Sequence, residues 1–146
     1  MALFNIKMIQ LYHKKVLWLS LFIAWTSLII YMSLRPGANE ILKKEFFKLR
    51  MDYLLHFFAY FAFGSLYVLW RGNRNFEIKG IELAILTAIA ISFSILMEYF
   101  QLLIPGRAFN VTDMVYNTLG VICGVGITYF YIVRHFLKKR DFTKSE

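Results

Sequence analysis

Four long apolar segments alternate with short connections that are rich in polar residues. A helix of about 20 apolar residues, at about 1.5 Å per residue, is long enough to cross the hydrocarbon core of a membrane. The first segment follows basic residues, but its length and the lack of a cleavage site favour a retained anchor over a signal peptide. The pattern therefore predicts an all-α protein, a four-helix transmembrane bundle with spans at Val16–Met32, Tyr53–Trp70, Leu83–Ile104 and Met114–Val133.

Composition and charge support a membrane protein rather than a soluble one. Hydrophobic residues make up 59% of the 146 residues, against about 45–50% in soluble domains. The net charge of +8 could indicate nucleic acid, but the basic residues lie in connections and tails, so we expect no nucleic-acid partner. Cytoplasmic basic residues commonly set the orientation of membrane proteins. With both termini cytoplasmic, 11 of the 17 basic residues fall on the inner side: Lys7, Lys14, Lys15, Arg71, Arg74, Lys79, Arg134, Lys138, Lys139, Arg140 and Lys144.

This orientation divides the chain into three parts. Residues 1–15 form a basic cytoplasmic segment, residues 16–133 form the transmembrane domain, and residues 134–146 form a basic cytoplasmic tail. We expect the tail to lie against anionic lipid of the inner leaflet.

Polar residues concentrate at the predicted outer ends of the spans. In the second span an acid, a histidine and a tyrosine recur every four residues, which places them on one helical face. A charged group facing lipid costs about 2.5–3.5 kcal/mol, so these groups should face one another or a water-filled cleft. We expect one shared polar site, formed by Arg35, Asp52, His56, Tyr60, Glu98, Gln101, Arg107, Asp113 and Asn117.

The connection before the fourth span carries helix-ending and helix-starting signals. Pro105 and Gly106 should stop the third helix, because proline lacks an N–H group and glycine permits a tight turn. Asn110 or Thr112 can cap the fourth helix, and Asp113 in its first turn suits the positive end of the helix dipole.

Two interpretations of these residues remain open. As a reaction site, Glu98, His56, Asp52 and Asp113 would supply acid–base groups, and Arg107, Gln101, Asn117, Tyr60 and Arg35 would bind a ligand. As a structural device, Arg107 would pair with Glu98 or Asp113, and the amides would link helices. An Asp, a His and a Glu in one cleft could hold a divalent metal, with Asp52 or Asp113 as a ligand, but the chain lacks metal-binding spacings such as HExxH and has one cysteine, so no metal ligands are assigned; the sequence identifies no cofactor.

Gly120 and Gly124 form a GxxxG motif in the fourth span. Such small residues let a second helix approach closely. The motif indicates packing within the bundle or, alternatively, a homodimer through Gly120 and Gly124.

The motifs "DYLLHFFAY" and "EYFQLLIPGRAFNVTDMVYNTLG" resemble those of the VanZ-like family of small bacterial membrane proteins. The resemblance covers about residues 16–133. It rests on Asp52, His56 and Tyr60, on Glu98 and Gln101, on Pro105 and Arg107, on Asp113, Asn117 and Gly120, and on Ser33 and Pro36 after the first helix.

The resemblance implies a multi-pass protein of the bacterial cytoplasmic membrane with a role in the cell envelope. The namesake of the family is linked to low-level resistance to the glycopeptide teicoplanin. Three hypotheses follow. The first is a protein that binds the head group of a membrane lipid, of a lipid-linked envelope molecule or of a lipoglycopeptide antibiotic. The second is an intramembrane hydrolase or transferase that modifies a lipid head group, with Glu98 and His56 as its acid–base pair. The third is an accessory bundle whose polar residues only hold its helices together.

Overall fold

Four helices carry most of the fold. The computed structural model describes residues 2–36, 45–46, 49–72, 78–105, 107 and 109–142, and it describes side chains from residue 15 to residue 132 within these ranges except those of residues 45–50. The helices are α1 (Ala2–Leu34), α2 (Met51–Arg71), α3 (Gly80–Gln101) and α4 (Val111–Phe142). The two-residue strands β1 (Glu45–Phe46) and β2 (Leu49–Arg50) pair antiparallel immediately before α2.

The predicted four-helix transmembrane architecture is confirmed. In the described part of the chain, four helical segments are long and apolar enough to cross a membrane: Lys15–Leu34, Met51–Arg71, Gly80–Gln101 and Val111–Ile132. Four crossings would place both termini on one side of the membrane; that both termini are cytoplasmic remains a prediction from charge.

The first and last helices extend well past these spans, at the same end of the bundle. Helix α1 begins at Ala2, and α4 continues to Phe142. The basic segments at the two ends of the chain are therefore largely helical continuations of the adjoining spans. Residues 143–146 of the predicted tail lie outside the described part.

Helix α3 ends a few residues earlier than predicted. Its last helical residue is Gln101. The chain then continues through i to i+3 hydrogen bonds, in which the N–H groups of Leu103 and Ile104 donate to the carbonyls of Phe100 and Gln101. The chain leaves the helix before Pro105, consistent with the predicted stop; Gly106 lies outside the described residues.

Helices α2 and α4 pack with their backbones in contact. A Cβ atom added to Gly120 or to Gly124 would lie well under 3.0 Å from the carbonyl oxygen of Phe57 or of Phe61, respectively. From the opposite side, a Cβ atom on Gly64 would lie 2.9 Å from the carbonyl oxygen of Val121. The GxxxG motif thus serves packing within the chain, as small residues allow; homodimerisation remains a separate prediction.

Aromatic residues attach α1 and α3 to this central pair. The ring of Phe22 in α1 lies 5.1 Å from that of Phe63 and stacks on Trp70 at 5.8 Å. Phe93 in α3 stacks on Phe63 at 5.4 Å. Trp25 donates its indole N–H to the carbonyl of Ala59 at 2.9 Å. Most α1 side chains in its span are exposed, as expected for a helix whose outer face meets lipid.

The two ends of the bundle differ in their polar content. At one end Arg71 of α2 pairs with Glu82 of α3. The other end, which we call the polar end, is formed by the last turn of α1, the last three turns of α3, the first three turns of α2 and α4, and the described residues of the connection between α3 and α4. The predicted site residues lie there.

Candidate functional site

A buried polar centre occupies the polar end. Among the described residues, the buried polar and charged ones come from α2, α3 and α4: Asp52, Ser94, Glu98, Gln101, Asp113 and Asn117. Glu98 and Ser94 are 0% exposed and Asn117 is 1% exposed. The spacing of these residues places them on the inward faces of their helices, so they meet one another and avoid lipid.

His56 joins α2 to α4. Its Nδ1 atom lies 3.0 Å from Oδ1 of Asn117, and its Nε2 atom lies 3.7 Å from Oδ2 of Asp113. Asp113 and Asn117 are four residues apart on α4, so both side chains reach the same face. The contact with Asn117 is within hydrogen-bond distance, whereas the 3.7 Å contact with Asp113 is an ion pair only when the imidazole is protonated.

Asn110 connects α3 to the start of α4. Its backbone N–H donates to Oε1 of Glu98 at 3.0 Å, and its side-chain amide donates to Oδ1 of Asp113 at 3.0 Å. Its side-chain oxygen accepts from the N–H of Thr112 at 3.0 Å, which is the N-cap interaction of α4. Of the two predicted caps, Asn110 fills the position.

Arg107 fastens the end of α1 to the polar end. Its Nη2 atom donates to the carbonyls of Met32 at 3.1 Å and of Arg35 at 3.3 Å, and its Nη1 atom donates to Oε1 of Gln101 at 3.4 Å. The carbonyl of Met32 is among the last four of α1, which have no partner within the helix. A cation at this position also suits the negative end of the helix dipole.

The expected partners of Arg107, Glu98 and Asp113, act on it through their charges. Burial lowers the pKa of Arg107, whereas the negative charges of Glu98 and Asp113 act in the opposite direction. A guanidinium keeps its proton in proteins, so Arg107 remains a cation at the polar end.

Three buried polar atoms at the polar end have no hydrogen-bond partner among the described residues. They are the Tyr60 hydroxyl, Oε2 of Glu98 and Nε of Arg107. Glu98 interacts electrostatically with Tyr60 and with Arg107, so the three groups share one region. Leaving a buried polar group without a partner costs about 1–3 kcal/mol. In this conformation the three atoms are enclosed, so a partner for them would have to enter the polar end.

The remaining predicted residues flank this centre. Asp52 is buried in the first turn of α2, one turn before His56, and its Oδ1 atom accepts from the N–H of Tyr53 at 3.0 Å. Arg35 has an exposed side chain and contributes its carbonyl to Arg107. In the part of the chain that the structure describes, no group of three or more His, Cys, Asp or Glu residues is arranged to hold a metal ion.

The sequence interpretation missed two residues of the centre. The pattern predicts Asn110 only as a cap, although it also binds Glu98 and Asp113. Ser94 is fully buried one turn from Glu98, and its hydroxyl donates to the carbonyl of Ile91 at 2.8 Å. Its position four residues before Glu98 was a usable signal, because such residues share a helical face.

The fold and the site together define a multi-pass membrane protein with a buried polar centre at one end of a four-helix bundle. Comparison with protein-family models gives a match to the family VanZ/LLP1 over residues 5–134. Since the match covers most of the chain, the protein belongs to the VanZ/LLP1 family. Searches of curated proteins and of solved structures found no match.

Replacing Asn110 with alanine should destabilise the polar end. The change removes the cap of α4 and the amide that binds Asp113, and loss of an N-cap costs about 0.5–2 kcal/mol. We expect a lower midpoint of thermal unfolding in detergent. Asn110→Ser, which keeps a capping oxygen, should recover part of the loss. Equal midpoints for Asn110→Ala and wild type would contradict the assigned role of Asn110.

Proposed function

We propose that the polar end binds the phosphate head group of a membrane lipid or of a lipid-linked envelope molecule, and that this binding lowers susceptibility to teicoplanin. The polar end faces the outer leaflet of the bacterial cytoplasmic membrane in this proposal. The distribution of basic residues supports the orientation. Membership of the VanZ/LLP1 family supports a role in the envelope.

The observation that carries the proposal is the burial and hydrogen bonding of Arg107. Its guanidinium is partly buried at the end of the spans, and its Nη atoms bind uncharged oxygens. Its Nε donor has no partner among the described residues. Arginine presents planar donors that match a phosphate, and charge-assisted hydrogen bonds are stronger than neutral ones. A phosphate oxygen would supply both the missing acceptor for Nε and a counter-charge for the guanidinium.

The location suits ligands that have a membrane anchor. The polar end lies where α1 and α3 end and α2 and α4 begin, at the boundary of the four spans. Lipid head groups, lipid-linked wall precursors and lipoglycopeptides would all be met at this depth of the outer leaflet. Arg35 has an exposed side chain, and its carbonyl binds Arg107; its positive charge would help to attract the same anion.

Replacing Arg107 with glutamine should weaken binding of a phosphate lipid. We expect retention of phosphatidic acid by the purified protein, measured by native mass spectrometry, to fall about tenfold, because hydrogen bonds to charged groups contribute about 1.5–3 kcal/mol and about 1.4 kcal/mol is a factor of ten. Arg107→Lys keeps the positive charge but lacks the planar guanidinium donors, so it should retain an intermediate amount of phosphatidic acid.

Lys79→Gln is the matched control, since it removes one exposed positive charge at the opposite end of α3. It should leave retention unchanged. Equal retention by Arg107→Gln and Lys79→Gln would reject Arg107 as the phosphate-binding group. Thermal unfolding of each variant separates lost binding from loosening of α1, which Arg107 also holds.

A second candidate function is that of an intramembrane enzyme that modifies a lipid head group. The observation in its favour is the placement of the His56 ring between Asn117 and Asp113, because a carboxylate and an amide can orient a histidine for proton transfer. Glu98 interacts electrostatically with His56 and would be the other member of the acid–base pair. A chemically altered lipid in cells that express the wild type, absent with Glu98→Gln, would favour this candidate; an unchanged lipid composition would count against it.

A further inference from the structure

We infer that the head group bound at the polar end carries a primary ammonium beside its phosphate, and that Oε2 of Glu98 and the Tyr60 hydroxyl accept hydrogen bonds from that ammonium. This inference rests on the proposed binding of a phosphate head group. It adds a class of ligand, an amino-bearing phosphate, and assigns the residues that would select it.

The first argument is the presence of two buried oxygens that can accept hydrogen bonds. Oε2 of Glu98 and the hydroxyl of Tyr60 have no partner among the described residues, although Glu98 is 0% and Tyr60 2% exposed. They come from α3 and α2, and the two groups interact electrostatically. A buried carboxylate oxygen without a partner is costly, and a group with several N–H donors can satisfy both oxygens together.

The second argument is the charge of Glu98. Its carboxylate is 0% exposed, and among the described residues its hydrogen-bond donor is the uncharged N–H of Asn110. A buried charge is expensive inside a membrane protein. A ligand ammonium at Oε2 would supply a counter-charge together with the missing donors.

The third argument is that the two ligand-binding groups lie together. Arg107 binds Gln101, which lies three residues after Glu98 on the same face of α3; since the Nε donor of Arg107 would take the phosphate, a short head group with both charges can satisfy the two groups together. Both oxygens of the ammonium site are enclosed in this conformation. Entry therefore requires local movement where the Asn110 N–H binds Glu98. A trimethylammonium offers no N–H donor and cannot replace a primary ammonium at these oxygens.

The test is competition between head groups on the full chain. The protein is reconstituted in nanodiscs that contain equal amounts of phosphatidylethanolamine, phosphatidylglycerol and phosphatidylcholine, and the retained lipids are identified by native mass spectrometry. We expect wild type to retain phosphatidylethanolamine about tenfold over phosphatidylcholine, which corresponds to about 1.4 kcal/mol. Tyr60→Phe and Glu98→Gln should bring this ratio close to one without abolishing Arg107-dependent retention. Tyr99→Phe, at an exposed tyrosine of α3, is the matched control and should keep the wild-type ratio.

Three results would overturn the inference, and they differ in what else they reject. An ethanolamine preference that survives in Tyr60→Phe and Glu98→Gln rejects these residues as the selecting groups. Equal retention of the three lipids, or of phosphatidylglycerol and phosphatidylethanolamine, rejects recognition of an ammonium group but is compatible with phosphate binding by Arg107. If no lipid is retained in an Arg107-dependent way, the proposed function itself fails, and the inference fails with it.

Discussion

Gly124→Ala and Gly120→Ala should each separate α2 from α4. The added methyl group would meet a backbone carbonyl oxygen, that of Phe61 or Phe57, at well under 3.0 Å, and a backbone cannot move aside as a flexible side chain can. Overpacking of this kind costs about 1–3 kcal/mol. We expect a marked fall in the midpoint of thermal unfolding of the purified protein, and a larger one for the double variant.

Gly126→Ala is the matched control, because a Cβ atom at Gly126 has nothing within 4 Å. Alanine also favours a helix over glycine by about 1 kcal/mol, so this variant should be as stable as wild type or slightly more stable. Equal unfolding midpoints for Gly124→Ala and Gly126→Ala would show that α2 and α4 are not in backbone contact.

The same packing supports the site. His56 lies on α2, and its partners Asn117 and Asp113 lie on α4. A displacement that relieves the clash at Gly120, three residues after Asn117, would lengthen the contact between His56 and Asn117. The glycine variants should therefore lose function as well as stability, whichever activity the polar end supports.

Glu98→Ala should destabilise the protein and abolish its function, whereas Glu98→Gln should abolish function with a much smaller effect on stability. Glu98 is fully buried and accepts from the Asn110 N–H at 3.0 Å. Alanine leaves this buried N–H without its acceptor, at a cost of about 1–3 kcal/mol. Glutamine keeps an oxygen for Asn110 and removes only the negative charge, so a phosphate would still bind at Arg107, but the selection of an amino-bearing head group, on which function depends in this account, would be lost. The comparison thus separates the structural role of Glu98 from the role of its charge.

Glu82→Gln is the control for removal of one carboxylate at the other end of the bundle. Its partner Arg71 is exposed, and surface ion pairs contribute about 0–1 kcal/mol. We expect near wild-type stability and function. If Glu98→Gln behaves like Glu82→Gln in both respects, the carboxylate of Glu98 has no functional role, and the account of the polar end as a structural lock gains support.

The sequence was sufficient for the four membrane-spanning helices and for their inward faces. Apolar runs of membrane-spanning length predict helices directly, and the spacing of Asp52, His56 and Tyr60 places them on one face. Spacing cannot tell which helices are neighbours, so the contact of α2 with α4 had to come from the structure. Strands as short as β1 and β2 leave no periodic signal in the sequence.

The partners of Arg107 show why the site could be predicted only in part. The structural interpretation pairs Arg107 with acidic side chains nearby in sequence, but its guanidinium binds the carbonyls of Met32 and Arg35. Every residue has a backbone carbonyl, so such partners carry no signature in the sequence. The same holds for the N–H of Asn110, which binds Glu98 irrespective of the side chain at position 110.

The measurement that tests the central claim most directly is the inhibitory concentration of teicoplanin, with vancomycin in parallel, for a sensitive Gram-positive host. The host expresses wild type or Glu98→Gln at matched abundance in the membrane. We predict that wild type raises the concentration for teicoplanin selectively and that Glu98→Gln abolishes the rise. An equal rise with Glu98→Gln, or no rise with wild type, would contradict a polar end whose buried carboxylate serves teicoplanin resistance.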